Sequence, residues 1–236
     1  MTENNITPEE YFEGVFVTRA LTIQQKLQHI KAFVFDWDGV FNDGRKNIEG
    51  HSSFSETDSM GLNMMRFSYY LQHQQLPVSV ILTGESNKLA ISFAQRENFH
   101  LVYYKTPNKK KALDHLCEAY KLSPTEVLFV FDDVLDFSVA QLAGVRCMVT
   151  HASNTLLKKF ATENGLVDYV TKHNGNDNAL REVSELMMTL TGNFDLTIEN
   201  RMHYSELYHE YIQLRKSVST QSFITKAQQV IEDINL

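Results

Sequence analysis

Short apolar runs rich in aromatic and β-branched residues recur along the chain, and helix-length segments separate them. KAFVFD (31–36), VSVILT (78–83), FHLVYY (99–104), VLFVFD (127–132) and VRCMVT (145–150) read as strands, with DYVT (168–171) a weaker sixth. Helical segments lie between them at 61–75, 86–97, 109–121, 135–142, 154–163 and 179–190. This alternation implies βαβ crossovers and a parallel sheet covered on both faces. Burial on both faces explains why several runs are apolar without alternation. The expectation is an α/β fold, a doubly wound parallel sheet, spanning residues 30–192.

Three stretches fall outside that rhythm. NDGRKNIEGHSSFSETD (42–58) is polar and carries two glycines, so it reads as a β-hairpin flap between the first strand and its helix. Residues 1–29 read as an N-terminal helical arm: Thr7, Pro8 and Glu10 form a capping box that starts a helix to about Ala20, and a second runs from Leu21 to Ile30. Residues 193–236 read as a C-terminal helical extension. Tyr204, Leu207, Tyr208 and Tyr211 recur at helical spacing, as do Phe223, Ala227, Val230, Ile231 and Ile234.

Composition excludes several classes. The net charge of −7 repels nucleic acid, and the densest basic run, Lys109–Lys111 near Lys105, is too short to overcome it. Two cysteines, Cys117 and Cys147, make no disulfide framework or zinc site and suggest a reducing compartment. MTENNITPEEYFEG lacks the basic and apolar regions of a signal peptide, and no run reaches the ~18 apolar residues of a membrane span. A cytoplasmic protein with no nucleic-acid or membrane partner is expected.

Chemistry collects at the strand ends. Asp36 and Asp38 leave the first strand on one side, because residues i and i+2 share a face. Alone, such a pair also fits a turn-capping role at the surface. The run 127–132 ends in Asp132-Asp133, with Asp136 after them, and a parallel strand ends at the same edge. Three or four converging carboxylates need a hard cation, and all-oxygen ligands favour Mg2+. Thr83-Gly84 ends another strand just before a helix, where a hydroxyl and free amides cradle a phosphate. Lys109 opens the next helix and can place an ammonium on that phosphate.

These elements, DWDG, LTG, NKKK and DDVLD in this order, resemble the motifs of the haloacid dehalogenase-like superfamily of phosphotransferases. With a flap in place of an inserted cap, residues 31–190 look like its capless branch. That branch contains the 3-deoxy-D-manno-octulosonate 8-phosphate and acylneuraminate 9-phosphate phosphatases. The resemblance implies a Mg2+-dependent phosphatase for a small phosphorylated metabolite, a sugar or sugar-acid phosphate. Asp36 would be the nucleophile and Asp38 the general acid and base. Asp36, the Asp38 carbonyl and Asp132 would hold Mg2+, with Asp133 and Asp136 beside them or bridged by water. Thr83, Gly84 and Lys109 would bind the phosphoryl oxygens. It also implies a homo-oligomer, commonly a tetramer, in which residues 43–56 reach a neighbouring subunit.

The chain departs from the branch pattern at four places: Phe131 precedes the acidic pair, Thr57-Asp58-Ser59 stands for Arg-Asp-Gly, Glu85 follows Thr-Gly, and Gly175-Asn176-Asp177-Asn178 replaces Gly-Gly-Arg-Gly. These changes leave two other readings open: a catalytically weak or inactive relative with an assembly role, and an enzyme whose two ends form a lid.

Overall fold

The structure is a computed structural model that describes residues 7–227 and 229–233. Its strands are β1 (Val15–Phe16), β2 (Ala32–Phe35), β3 (Val78–Leu82), β4 (Leu101–Tyr104), β5 (Val127–Phe131), β6 (Val145–Met148), β7 (Tyr169–Val170), β8 (Gln221–Lys226) and β9 (Gln229–Glu232). The helices are α1 (Pro8–Tyr11), α2 (Ala20–Leu27), α3 (Glu56–His73), α4 (Lys88–Arg96), α5 (Lys109–Tyr120), α6 (Phe137–Ala140), α7 (Thr155–Glu163), α8 (Ala179–Leu190), α9 (Phe194–Met202) and α10 (Glu206–Lys216). The strands form one sheet in the order β1-β7-β6-β5-β2-β3-β4-β8-β9. Pairing is parallel from β7 to β8 and antiparallel at the two outer strands. From β2 the chain builds outward through β3 and β4 on one side, then through β5, β6 and β7 on the other. The carboxyl end of β2 is therefore the switch point where crossovers part and a cleft opens.

Alternation along β2 feeds two cores. Phe33 and Phe35 face a core closed by α2, α3, α4 and α8, while Ala32 and Val34 face one closed by α5, α6 and α7. Continuing the alternation sends Trp37 into the first core, fully buried. Phe131 turns into the second, its ring 5.3 Å from that of Phe129. It does not crowd the cleft.

The ends of the chain differ from the helical expectation. The Thr7 amide donates to the Glu10 carboxylate at 2.6 Å, but α1 stops at Tyr11. The backbone then runs so close to Tyr169 that a Cβ on Gly14 would lie 2.1 Å from its hydroxyl oxygen. That approach lets β1 pair with β7. At the other end α9 and α10 are helical, and Tyr208 and Tyr211 pack with Phe67 and Tyr70 of α3. Phe223 and Val230, however, lie in a β-hairpin. The open edge of β4 offers QSFI (221–224) a full ladder, and an edge-pairing gain outweighs an equivocal helical spacing. Ala227 takes the left-handed turn at φ 48°, and Ile234 lies outside the described residues.

The segment after β2 is a flap by position but carries no strand. Asn47 accounts for this: its side chain accepts the amides of Glu49 and His51, closing a local turn where a ladder would need those groups.

Candidate active site

Four loops meet at the carboxyl ends of β2, β3, β4 and β5 and enclose a cleft of about 250 Å³. Asp36, Asp38, Lys46, Thr83, Gly84, Lys109, Asp132, Asp133 and Asp136 line it, with Glu85, Pro107 and Leu135 at the rim. A larger hollow, about 530 Å³, lies elsewhere between α1 and the α8–α9 corner and gathers no comparable chemistry. No residue of 1–29 or 193–236 lines the cleft, so among the described residues neither end is a lid.

The floor is buried charge. Asp36, Lys109 and Asp136 are 6, 3 and 0 % exposed. Lys109 Nζ lies 2.7 Å from Asp36 Oδ1 and 2.5 Å from Asp136 Oδ1. Burial alone would lower the Lys109 pKa, but the carboxylates of Asp36 and Asp136 outweigh it and hold the ammonium charged. Burial, and then the nearby Asp136 carboxylate, push the Asp36 pKa well above its ordinary range. Both aspartates share one lysine, so the cluster keeps an excess of negative charge.

Carboxylate oxygens of Asp36, Asp132 and Asp136 lie within 4.8 Å of one another. Asp132 Oδ1 is buried without a hydrogen-bond partner, an orphaned acceptor that a cation would satisfy. The all-oxygen set fits a hard divalent ion. Asp133, grouped with the metal residues from sequence, is exposed at the wall of the cleft, outside the Asp36–Asp132–Asp136 group. Its carboxylate accepts the Val134 amide at 2.7 Å and starts the turn that brings Asp136 inward. The acidic group is thus completed by Asp136 and not by Asp133. Gly39 sits at φ 90°, and a Cβ there would lie 2.1 Å from Asp132 Oδ2. Only glycine permits both the turn and the approach.

Thr83 is buried, and its hydroxyl accepts the Glu85 amide at 3.4 Å. Helix α4 starts later than the sequence suggests. Asn87 takes the cap, accepting from the Leu89 amide, so Thr83 and Gly84 belong to a loop and not to a helix terminus. Asp38 lies at the mouth, with Lys46 Nζ 3.2 Å from its Oδ2.

Sequence reasoning missed Lys46, Ser52, Asn87 and His151. Lys46 and Ser52 of the flap both reach Asp38, and Asn87 at the cap of α4 reaches Ser52. His151, at the end of β6, has Nε2 3.1 Å from Asp132 Oδ2, a close contact off the line of a good hydrogen bond. The Asp132 carboxylate raises the pKa of its imidazole. Only the strand-end rule could have drawn notice to His151, and nothing in its local sequence marks it. His203 follows α9 and His209 lies in α10, and neither lines this cleft.

Fold and site together have the arrangement of a haloacid dehalogenase-like phosphatase, the class its motifs resemble. No family model matches the chain. It is similar to the 3-deoxy-D-manno-octulosonate 8-phosphate phosphatase of Escherichia coli strain B, 28% identical over 177 residues, or 73% of this chain and 87% of that protein. The corresponding phosphatase of Yersinia pestis is 26% identical over 182 residues, 75% of this chain and 90% of that one. Among solved structures, the 3-deoxy-D-manno-octulosonate 8-phosphate phosphatase of Moraxella catarrhalis, in complex with magnesium ion, phosphate ion and KDO, superposes with a TM-score of 0.63. It is 26% identical and covers 75% of this chain and 97% of that one.

Proposed function

We propose that the chain is a Mg2+-dependent phosphoric monoester hydrolase acting on a small sugar or sugar-acid phosphate through an aspartyl-phosphate. The observation that carries this is the buried Asp36–Lys109–Asp136 cluster, open on one side to Asp132 and on the other to Asp38. Asp36, Asp132 and Asp136 are the side chains placed to hold Mg2+, with the Asp38 carbonyl as the family pattern has it. The ion would neutralise phosphoryl oxygens and hold the nucleophile in line.

An Asp36 carboxylate oxygen forms a bond to phosphorus as the ester P–O bond breaks. The departing alkoxide takes a proton from Asp38. Water then attacks the aspartyl-phosphate, gives its proton to Asp38, and releases phosphate with Asp36 restored. Thr83, the Gly84 amide and Lys109 stabilise the phosphoryl oxygens through both steps.

The inactive alternative is not favoured, because every group this chemistry needs faces one cleft. We assign the catalytic unit to residues 30–192, extended at both sheet edges by the flanking segments. A homotetramer in the cytoplasm is the setting that the family resemblance suggests. In that setting the flap, with Ile48 wholly exposed at its tip, is the segment that would meet a second subunit. A monomer by light scattering would remove that part of the reading.

The test of function is phosphate release with Mg2+ from a panel of sugar phosphates, sugar-acid phosphates and nucleotides. Turnover that disappears in Asp36→Asn is expected. Turnover that survives in that variant, purified free of host phosphatase, would sink the assignment.

A further inference from the structure

Ser52 sits in the flap, far from the motifs, yet it is 1 % exposed. Its hydroxyl meets three groups. Trp37 Nε1 donates to it at 3.0 Å, Asn87 Nδ2 donates to it at 2.7 Å, and it lies 2.5 Å from Asp38 Oδ1.

The directions of these bonds are not free. An indole N–H can only donate. The Asn87 amide cannot flip without loss, because its Oδ1 accepts the Leu89 amide at 3.0 Å and caps α4. Both lone pairs of the Ser52 oxygen are therefore occupied by incoming donors. Its single proton has one acceptor left, Asp38 Oδ1. Trp37 and Asn87 are fully buried, so no competing water reorients the group from their side.

We infer that Ser52 is the positioning residue for the general acid, its hydroxyl locking Asp38 Oδ1 so that Oδ2 is the oxygen presented to the leaving group. Oδ2 is the one that lies 3.2 Å from Lys46 Nζ in the cleft lining. The carboxylate plane is fixed by three segments at once: the loop after β2, the flap, and the cap of α4. The inference rests on the phosphatase reading, because it assigns a task to Asp38 within that mechanism.

Leaving-group chemistry separates positioning from plain structural damage. An alkoxide departs only with a proton, whereas p-nitrophenolate departs without one. The parameter kcat/KM reports steps through leaving-group departure, so it isolates the half of the reaction in which Asp38 is the acid. The experiment measures kcat/KM for wild type, Ser52→Ala and Ser52→Cys on a turned-over sugar phosphate and on p-nitrophenyl phosphate, with Mg2+. Ser52→Ala is expected to lose roughly 10- to 100-fold on the sugar phosphate and no more than about threefold on the aryl ester. Ser52→Cys is somewhat larger but keeps a weaker donor at the same position and should fall between. If the alanine variant does not fold, the cysteine variant is read by the same contrast. Equal losses on both substrates, or no loss on either, overturn the inference while leaving the phosphatase reading intact. Wild type that releases no phosphate from any compound overturns that reading, and this inference with it.

Discussion

The floor of the cleft and its rim are built in opposite ways. The floor uses residues that end strands or open a helix: Asp36 after β2, Asp132 after β5, Lys109 at the start of α5. Each is buried, and Lys109 lies within hydrogen-bonding distance of Asp36 and of Asp136, one ammonium against several carboxylates. The rim, residues 43–55, has no regular structure and is mostly exposed. It is held at chosen points. Asn42 donates to the Ser53 carbonyl and accepts the Gly44 amide, and Ser52 is drawn under Trp37. Reacting groups thus sit on elements that cannot drift, and the surface a leaving group meets sits on a loop. Ser52 is where the two meet, since a rim residue aims the Asp38 carboxylate at the mouth, two residues beyond Asp36 of the floor.

The contrast can be broken most sharply at Asp36. Asp36→Asn should cut phosphate release by about 10⁴-fold or more, read in a discontinuous phosphate assay. Next is Lys109→Ala, which leaves Asp36 and Asp136 facing each other unpaired. It should cost about 3–5 kcal/mol of stability by urea titration as well as activity. An undisturbed midpoint would show that the floor is less rigid than described.

Asp58 tests a shoulder between the two regions. It lies in the first turn of α3 just beyond the rim, and its carboxylate accepts the Arg181 amide at 2.8 Å. Burial raises its pKa from 3.8 to about 7, against the pull of that amide and of the Arg181 guanidinium. The folded state therefore binds the proton more tightly than the unfolded chain does. The resulting stability is complete below the unfolded value and is lost as pH rises through the folded one. Wild type should lose on the order of 2–4 kcal/mol through this group between about pH 4 and pH 8. Asp58→Asn should flatten that slope in urea midpoints taken across the range.

A smaller effect is expected at His151. His151→Ala should weaken Mg2+ binding by roughly 10- to 100-fold in calorimetry, because it frees the Asp132 carboxylate to turn. Smallest of all is the flap tip. Ile48→Ser should change monomer stability by no more than about 0.5 kcal/mol, while lowering the self-association measured by sedimentation.

The floor was legible in the sequence because strand ends announce themselves. An apolar run that stops at an aspartate fixes both the position and the side of the carboxylate. Helix α8 was readable to the residue, since its stripe of Leu180, Val183, Leu186, Met187 and Leu190 has one period. Asp136 was harder. Its inward turn depends on Asp133 capping the short turn between them, which no spacing in the sequence announces. Ser52, Asn87 and Lys46 were invisible, because their meaning comes from contacts between segments distant in the chain. The C-terminal hairpin misled for another reason: Phe223, Val230 and Ile231 suit either period, and the unpaired edge of β4 decided between them.

The outermost pairing at the amino-terminal end of the molecule sets an order of events during synthesis. Strand β1 has no partner until β7 exists, and Thr18 bonds Asp168, 150 residues further along. Asp168 also receives Lys26 and Arg146, so the first and sixth strand regions are clasped through one carboxylate. A ribosome that has released only the first half of the chain presents Val15 and Phe16 with nothing to pair against. The β1 segment is made before its partner and docks late, leaving a strand edge that must stay unattached in a crowded cell until β7 has emerged.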